Sequence, residues 1–254
     1  MHGAGNDFVL IDDRGSTFPT ADVDLIRVIA DRRLGVGCEG VILVQRSEWC
    51  DFRMRFFNPD GSEADLCGNG ARCVAAFARE IGAATADDMV FETAAGDVRA
   101  LVVDSHTVRV AMPPPRNFGK GFVVVGVPHR IVPVADLAAV DVAAEGRRIR
   151  YDAAYAPEGT NVDFVVYRRP DEVAIRTYER GVEAESGACG TGSVASAVIG
   201  VRDYGLAFPV KVMTFRGDEL VVDGKFDGVA FSDLSLTGPV RRVFEGRLTI
   251  PSVS

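Results

Sequence analysis

Apolar residues at 74, 77, 78 and 81 follow the i, i+3, i+4, i+7 spacing of a helix with one buried face, and positions 194, 197, 198 and 201 repeat it. Both runs begin directly after the same signature, Cys67-Gly68-Asn69-Gly70 in one case and Cys189-Gly190-Thr191-Gly192 in the other. A glutamate stands four residues before each cysteine, at Glu63 and Glu185. The copies lie about half a chain length apart, so the chain reads as an internal duplication. The pattern predicts helices over about 69–81 and 191–204. Ala71, Val74, Ala75, Ala76, Phe77 and Ala78 make the first helix apolar on several sides, the mark of an element enclosed by others.

Short runs of β-type residues surround both helices. They fall at about 8–11, 41–45, 51–57, 89–93, 98–103 and 107–111 in the first half. In the second half they fall at about 122–126, 162–167, 173–178, 210–215, 219–223, 229–235 and 240–250. Thr20 reads as the cap of a further helix reaching Arg32 through Val23, Ile26 and Ala30. Met1–Asp7 reads as a loop, Asn58-Pro59-Asp60-Gly61-Ser62 as a turn, and the stretch between His129 and Pro157 as a polar connection. Many short strands around one buried helix predict a barrel-like sheet wrapped about it, and the order of elements occurs twice. Pro113-Pro114-Pro115 is the clearest linker and marks the expected domain boundary.

Composition narrows the functional classes. Of the 254 residues, 47% are hydrophobic and 25% charged, which is ample for a core. A net charge of −8, with no basic stretch, argues against a nucleic-acid partner. No apolar run is long enough for a membrane helix, and the N-terminus lacks a signal-peptide pattern. Five cysteines without a Cys-x-x-Cys pair read as free thiols in a reducing, cytoplasmic compartment. His2, His106 and His129 are scattered, so no metal is expected.

The duplicated element carries its own chemistry. A cysteine just before a helix faces unpaired N–H groups and the positive end of the helix dipole, which favour thiolate. The same N–H groups bind carboxylates, and glycine allows a ligand close to the backbone. Two such elements supply two thiols and two anion sites for one small molecule, suited to removing a proton from one face of a carbon and returning one to the other. A single Cys-Gly-x-Gly would read as a buried structural thiol; the duplication argues against that. Asn6 reads as a turn residue bonding its own backbone, His129 as a loop or packing residue, and Glu179 and Arg180 as solvated surface when each is taken alone.

Taken together, certain stretches resemble the diaminopimelate epimerases, amino-acid epimerases that work without pyridoxal phosphate. They are His2–Phe8, Phe57–Glu63, Cys67–Cys73, Tyr178–Gly181, Ala188–Gly192, Leu236–Pro239 and Val243–Gly246. The resemblance implies an α+β fold of two pseudo-symmetric domains, each a barrel-like sheet around a central helix. It assigns residues 1–115 and 243–254 to the first domain and 116–242 to the second. It implies interconversion of L,L- and meso-diaminopimelate, a step towards lysine and peptidoglycan precursors, with no cofactor. Cys67 and Cys189 match the catalytic cysteines. Gly68, Asn69, Gly190 and Thr191 match the groups that hold the reacting carboxylate. Asn6, Asn58, Asn161, Glu179 and Arg180 match substrate-binding positions, and His129 and Glu179 match positions that tune the cysteines. Phe244 matches an aromatic used for homodimerisation.

Three positions depart from the family pattern. Gly40 and Val127 stand where many members have Gln and Asn, and the loop from Val182 to Ala188 is one residue longer. These departures keep open a related cofactor-independent racemase with another substrate. A non-enzymatic redox sensor using Cys67 and Cys189 is the alternative from another class.

Overall fold

The computed structural model describes residues 1–168 and 170–249. The chain divides into two compact units, Met1–Val110 with Pro239–Ser254, and Ala111–Gly238.

Unit 1 opens with a tight hairpin, β1 (His2–Gly3) and β2 (Asn6–Asp7), where a loop was predicted. Ala4 and Gly5 both have positive φ, as a two-residue hairpin turn requires. Then follow β3 (Val9–Asp12), α1 (Val23–Ala30), β4 (Val41–Gln45), β5 (Phe52–Phe57), β6 (Glu63–Ala64), α2 (Gly68–Glu80), β7 (Asp88–Thr93), β8 (Gly96–Asp104) and β9 (Thr107–Ala111). Strand β3 runs parallel to β4, β4 and β6 antiparallel to β5, and β5 parallel to β7 across the α2 crossover. Helix α1 starts later than predicted. Its cap is Asp22, whose carboxylate accepts from Leu25 N at 2.9 Å, because the turn from Pro19 spends Thr20 outside the helix.

Unit 2 comprises β10 (Arg116–Gly119), β11 (Phe122–Val125), β12 (Val127–Pro133), α3 (Val142–Arg150), β13 (Asn161–Arg168), β14 (Glu172–Glu179), β15 (Ala184–Ser186), α4 (Gly190–Tyr204), β16 (Val210–Met213), β17 (Glu219–Phe226) and β18 (Phe231–Pro239). It repeats the unit 1 plan: β12 parallel to β13, β13 and β15 antiparallel to β14, and β14 parallel to β16 across α4. The predicted polar connection after His129 instead holds β12 and α3. Three arginines, one glutamate and one glycine hid the helix, whose cap Asp141 accepts from Ala144 N.

The strand registers align the two units residue by residue. Val9 lies opposite Val41, Val41 opposite Phe57, and Phe57 opposite Glu63. Arg130, Val162, Tyr178 and Glu185 stand in the same relation. Each glutamate is held by a bidentate arginine one residue before the aromatic's neighbour on the central strand: Arg55 to Glu63 at 2.8 Å, and Arg176 to Glu185 at 2.6 and 2.7 Å. These ion pairs clamp the short strand that delivers the chain to each cysteine.

Strand alternation sorts the remaining side chains. Val41, Leu43 and Phe57 face the α1 side with Ile26 and Ile29, and Val162, Phe164 and Tyr178 face the α3 side with Val142. The opposite faces turn to the cysteine-bearing helices. A Cβ at Gly70 of α2 would meet Ile42 at 2.9 Å, and one at Gly192 of α4 would meet Asp163 at 2.4 Å. The second glycine of each signature therefore serves close helix–sheet packing.

The strand predicted over 240–250 is absent among the described residues. Strand β18 ends at Pro239, Arg241 forms one bridge to His2, and 242–249 have no regular structure. Proline at 239 removes the N–H that a continuing ladder needs. The rest of that expectation, residues 250–254, lies outside the described residues. Among the described residues, no helix is long and apolar enough to cross a membrane.

Candidate active site

In unit 1, Cys67 is the N-cap residue of α2, half-buried and extended (φ −124°, ψ 122°). Its carbonyl accepts from Ala71 N at 2.7 Å, opening the helix. Asn69 is buried, and Arg72 Nη2 donates to its Oδ1 at 2.7 Å. Arg72 is itself wholly buried one turn into the helix. A cation there adds to the positive end of the dipole, so this helix start attracts an anion strongly. Cys73, the other thiol of the stretch, is pushed up to about 12 by burial and is inert.

In unit 2, Cys189 caps α4 with its own sulfur, accepting from Gly192 N at 3.4 Å. Its Sγ lies 3.5 Å from Thr191 Oγ1, which lies 3.0 Å from His129 Nε2. His129 Nδ1 is 2.7 Å from Asp163 Oδ2, and Thr177 Oγ1 donates to Asp163 Oδ1 at 2.7 Å. His129, Asp163, Thr177 and Asn161 are all buried. Of the two readings open to His129 taken alone, loop or packing residue, the buried one holds: it is central in β12, and alternation turns it to the α4 side with Asn161 and Asp163.

The protonation expected of a helix-start cysteine is reversed at Cys189. Burial pushes its thiol well above the ordinary range, and the Glu179 and Asp163 carboxylates push it further. The Gly192 N–H, which donates to the sulfur, opposes this without overcoming it. Desolvation of a thiolate outweighs the dipole, so this sulfur carries its proton.

The remaining predicted residues lie in two groups. In unit 1, Asn6 Oδ1 is buried without a hydrogen-bond partner among the described residues, so its expected bond to its own backbone is not made. An orphaned buried acceptor costs about 1–3 kcal/mol, a debt a bound donor removes. Asn58 closes the turn onto Ser62, with its Nδ2 3.1 Å from Ser62 Oγ. In unit 2, Asn161 Oδ1 accepts from Arg180 N at 2.7 Å, which ties β13 to the turn after Glu179. The Arg180 guanidinium reaches the Glu158 carbonyl at 3.3 Å and has no carboxylate partner among the described residues. Gly40 is backed by the Phe56 ring, 2.3 Å from where a Cβ would stand, so the ring occupies the space of a longer side chain.

Three residues of these clusters were not expected: Asp163, Thr177 and Arg72. The signal for Asp163 was present, as a lone carboxylate inside an apolar run, Val162 to Val166, of a buried strand. Arg72 showed likewise as the one charge among the apolar residues that open α2.

The model of the family described as diaminopimelate epimerase matches residues 1–117 and 121–243. The diaminopimelate epimerase of Aquifex aeolicus is 39% identical over 272 aligned positions, covering 98% of this chain and 96% of that protein. The chain belongs to the diaminopimelate epimerase family. The diaminopimelate epimerase of Chlorobaculum tepidum is 40% identical, covering 98% of this chain and 100% of that one. The fold of this diaminopimelate epimerase family member also matches a Bacillus anthracis phenazine biosynthesis protein of the PhzF family. There the TM-score is 0.69 at 19% identity, over 95% of this chain and 93% of that one. Among the described residues, no group of three His, Cys, Asp or Glu side chains is placed to hold a metal ion.

Proposed function

We propose that this protein epimerises L,L-diaminopimelate to the meso form by moving a proton at the α-carbon between two cysteines. The observation that carries the reading is the family match along nearly the whole chain, with a cysteine at each of the two duplicated helix starts. An α-proton is a very weak acid, so a resting carbanion needs electrostatic stabilisation and exclusion of water. The helix-start N–H groups of Gly68 and Asn69, and of Gly190 and Thr191, supply the first by holding the reacting carboxylate. Cys67 and Cys189 serve as the acid and base, one thiol and one thiolate, exchanging roles with direction. His129 and Glu179 tune Cys189. Asn6, Asn58, Asn161 and Arg180 hold the rest of the substrate, with Arg180 on its distal carboxylate, because guanidinium makes bidentate carboxylate contacts.

The product serves lysine and peptidoglycan-precursor synthesis. The five free thiols favour a cytoplasmic setting. The exposure of Phe244 and Val243 favours a homodimer through that segment, which light scattering would report.

The deciding experiment is incubation in D₂O with a panel of amino acids, read by NMR and chiral chromatography. Deuterium enters the α-carbon of diaminopimelate as the meso form appears, while lysine and histidine stay unlabelled. Exchange into another amino acid with none into diaminopimelate would make this a racemase of different substrate. Exchange into none would leave a non-enzymatic thiol protein.

A further inference from the structure

We propose that Asp163 and Thr177 are positioning residues that fix the His129 tautomer, and that the Thr191 hydroxyl relays the Cys189 proton to His129. The proposal rests on the epimerase reading and adds a route by which one catalytic thiol gains and loses its proton.

The tautomer is fixed from both sides of the ring. Asp163 Oδ2 accepts only, so the Nδ1 atom 2.7 Å away carries a proton and donates it. On the other side, Arg180 N donates to Asn161 Oδ1 at 2.7 Å, which settles the orientation of that amide. Its Nδ2 then faces His129 Nε2, at 3.5 Å. A donor facing Nε2 makes that nitrogen the acceptor. Thr191 Oγ1, 3.0 Å from the same nitrogen, therefore donates to it and keeps its lone pairs for the Cys189 thiol at 3.5 Å. Thr177 Oγ1 occupies Asp163 Oδ1 at 2.7 Å, which prevents the carboxylate from turning away. Gly192 completes the fit: any larger residue would strike that oxygen.

The proton inventory balances without another reactant. The Sγ–H proton passes to Thr191 Oγ1 as the Thr191 hydroxyl proton passes to His129 Nε2. A thiolate, an unchanged hydroxyl and an imidazolium result, and the Nδ1 proton stays hydrogen-bonded to Asp163. No electron is transferred and no atom is lost. The imidazolium lies against the Asp163 carboxylate in a buried setting, where opposite charges interact strongly. Reversal returns the proton to sulfur. Asp163 thus supports His129 in the manner of the acidic member of a hydrolase triad, with a threonine hydroxyl inserted before the sulfur.

Three variants and one spectrum test this. Thr191→Val keeps shape and backbone N–H but removes the hydroxyl. It is expected to lower kcat on diaminopimelate about tenfold or more, with KM within about twofold, and Thr191→Ser to restore most of the loss. Asp163→Asn, close in shape but uncharged, should give the same split. Both directions must fall by one factor, since the equilibrium between isomers is unchanged. A Thr191→Val or Asp163→Asn enzyme that folds and matches wild-type kcat overturns the relay while the epimerase reading stands. ¹⁵N NMR of His129 in the wild-type protein needs neither substrate nor variant. Protonated Nδ1 with unprotonated Nε2 is expected, and the opposite tautomer overturns the proposal even if no variant folds. Failure of the epimerase reading shows separately, as wild-type protein that exchanges no diaminopimelate α-proton.

Discussion

The two helix starts share a backbone plan and invert its chemistry. By strand register, Phe8, Gly40, Ile42 and Phe56 in unit 1 correspond to His129, Asn161, Asp163 and Thr177 in unit 2. The first set is apolar, with Phe8 edge-on to Phe56 at 6.1 Å. The second is a hydrogen-bonded polar cluster. On the helices the order reverses: Arg72 of α2 corresponds to Val194 of α4, both wholly buried. Each unit therefore gives the side chain two residues after its cysteine one strong partner. Asn69 takes its partner from the helix as Arg72, and Thr191 takes its partner from the sheet as His129. A permanent cation sustains an anion site whatever the pH, whereas an imidazole accepts and returns a proton. The duplication thus equips one end for fixed electrostatics and the other for proton exchange.

The largest effect should come from the feature both ends share. Cys67→Ala and Cys189→Ala are each expected to lower kcat by about 10²–10⁴-fold, the usual value of an acid–base group, with melting temperature nearly unchanged. Turnover near wild type in either variant would mean that the two thiols do not act as a pair.

The next test exchanges the residues that differ. Val194→Arg places a cation where the sheet already supplies His129, and burying it without a partner should cost about 3–5 kcal/mol in urea unfolding. Arg72→Met removes the charge-assisted hydrogen bond to Asn69 Oδ1, a loss of about 1.5–3 kcal/mol, and should also raise KM as the anion site weakens. Equal tolerance of both changes would erase the contrast between the two ends.

The turn after the central strand differs as well, with Pro59 in unit 1 at the register position of Arg180 in unit 2. Arg180→Lys keeps charge but loses the planar fork, so KM for diaminopimelate should rise about tenfold with stability unchanged. A solvated arginine would leave KM where it was.

The smallest effect concerns the clamps that the units share. Arg55 holds the Glu63 carboxyl below the usual carboxylate range. A lowered folded-state value adds stability that is full above the unfolded value, near 4.3, and lost as pH falls through the folded one. Glu63→Gln should therefore cost about 0.2–1 kcal/mol at pH 7, after screening of this partly exposed pair, and nothing at pH 2. Glu185→Gln, in the less exposed pair, should cost at least as much at pH 7.

Much of this was legible in the chain. Helical spacing after each Cys-Gly-x-Gly located α2 and α4 to within a residue or two, because both are long and apolar. The family resemblance rested on contiguous stretches and held over the whole chain. Helix α3 was missed because tertiary packing sustains it: Gly146 is tolerated there since it lets Tyr178 approach, and a Cβ would lie 2.4 Å from that side chain. Taken alone, His129 gave no sign of its partners. Asp163 and Thr177 lie 34 and 48 residues further along, and only the parallel pairing of β12 with β13 brings them together. The bidentate clamps were half visible, as glutamates with no hint of their arginines.

The polar cluster of unit 2 also constrains how such a chain changes over generations. Replacing His129 alone by the phenylalanine of its counterpart would take from the buried Asp163 Oδ2 the partner 2.7 Å away. Replacing Asp163 alone by isoleucine would strand His129 and Thr177. Each single step back towards the other half is penalised, although the complete set of changes yields a packing that unit 1 already uses. The cluster therefore acts as a ratchet: unit 2 cannot be turned into a copy of unit 1 one residue at a time without passing through a less stable chain.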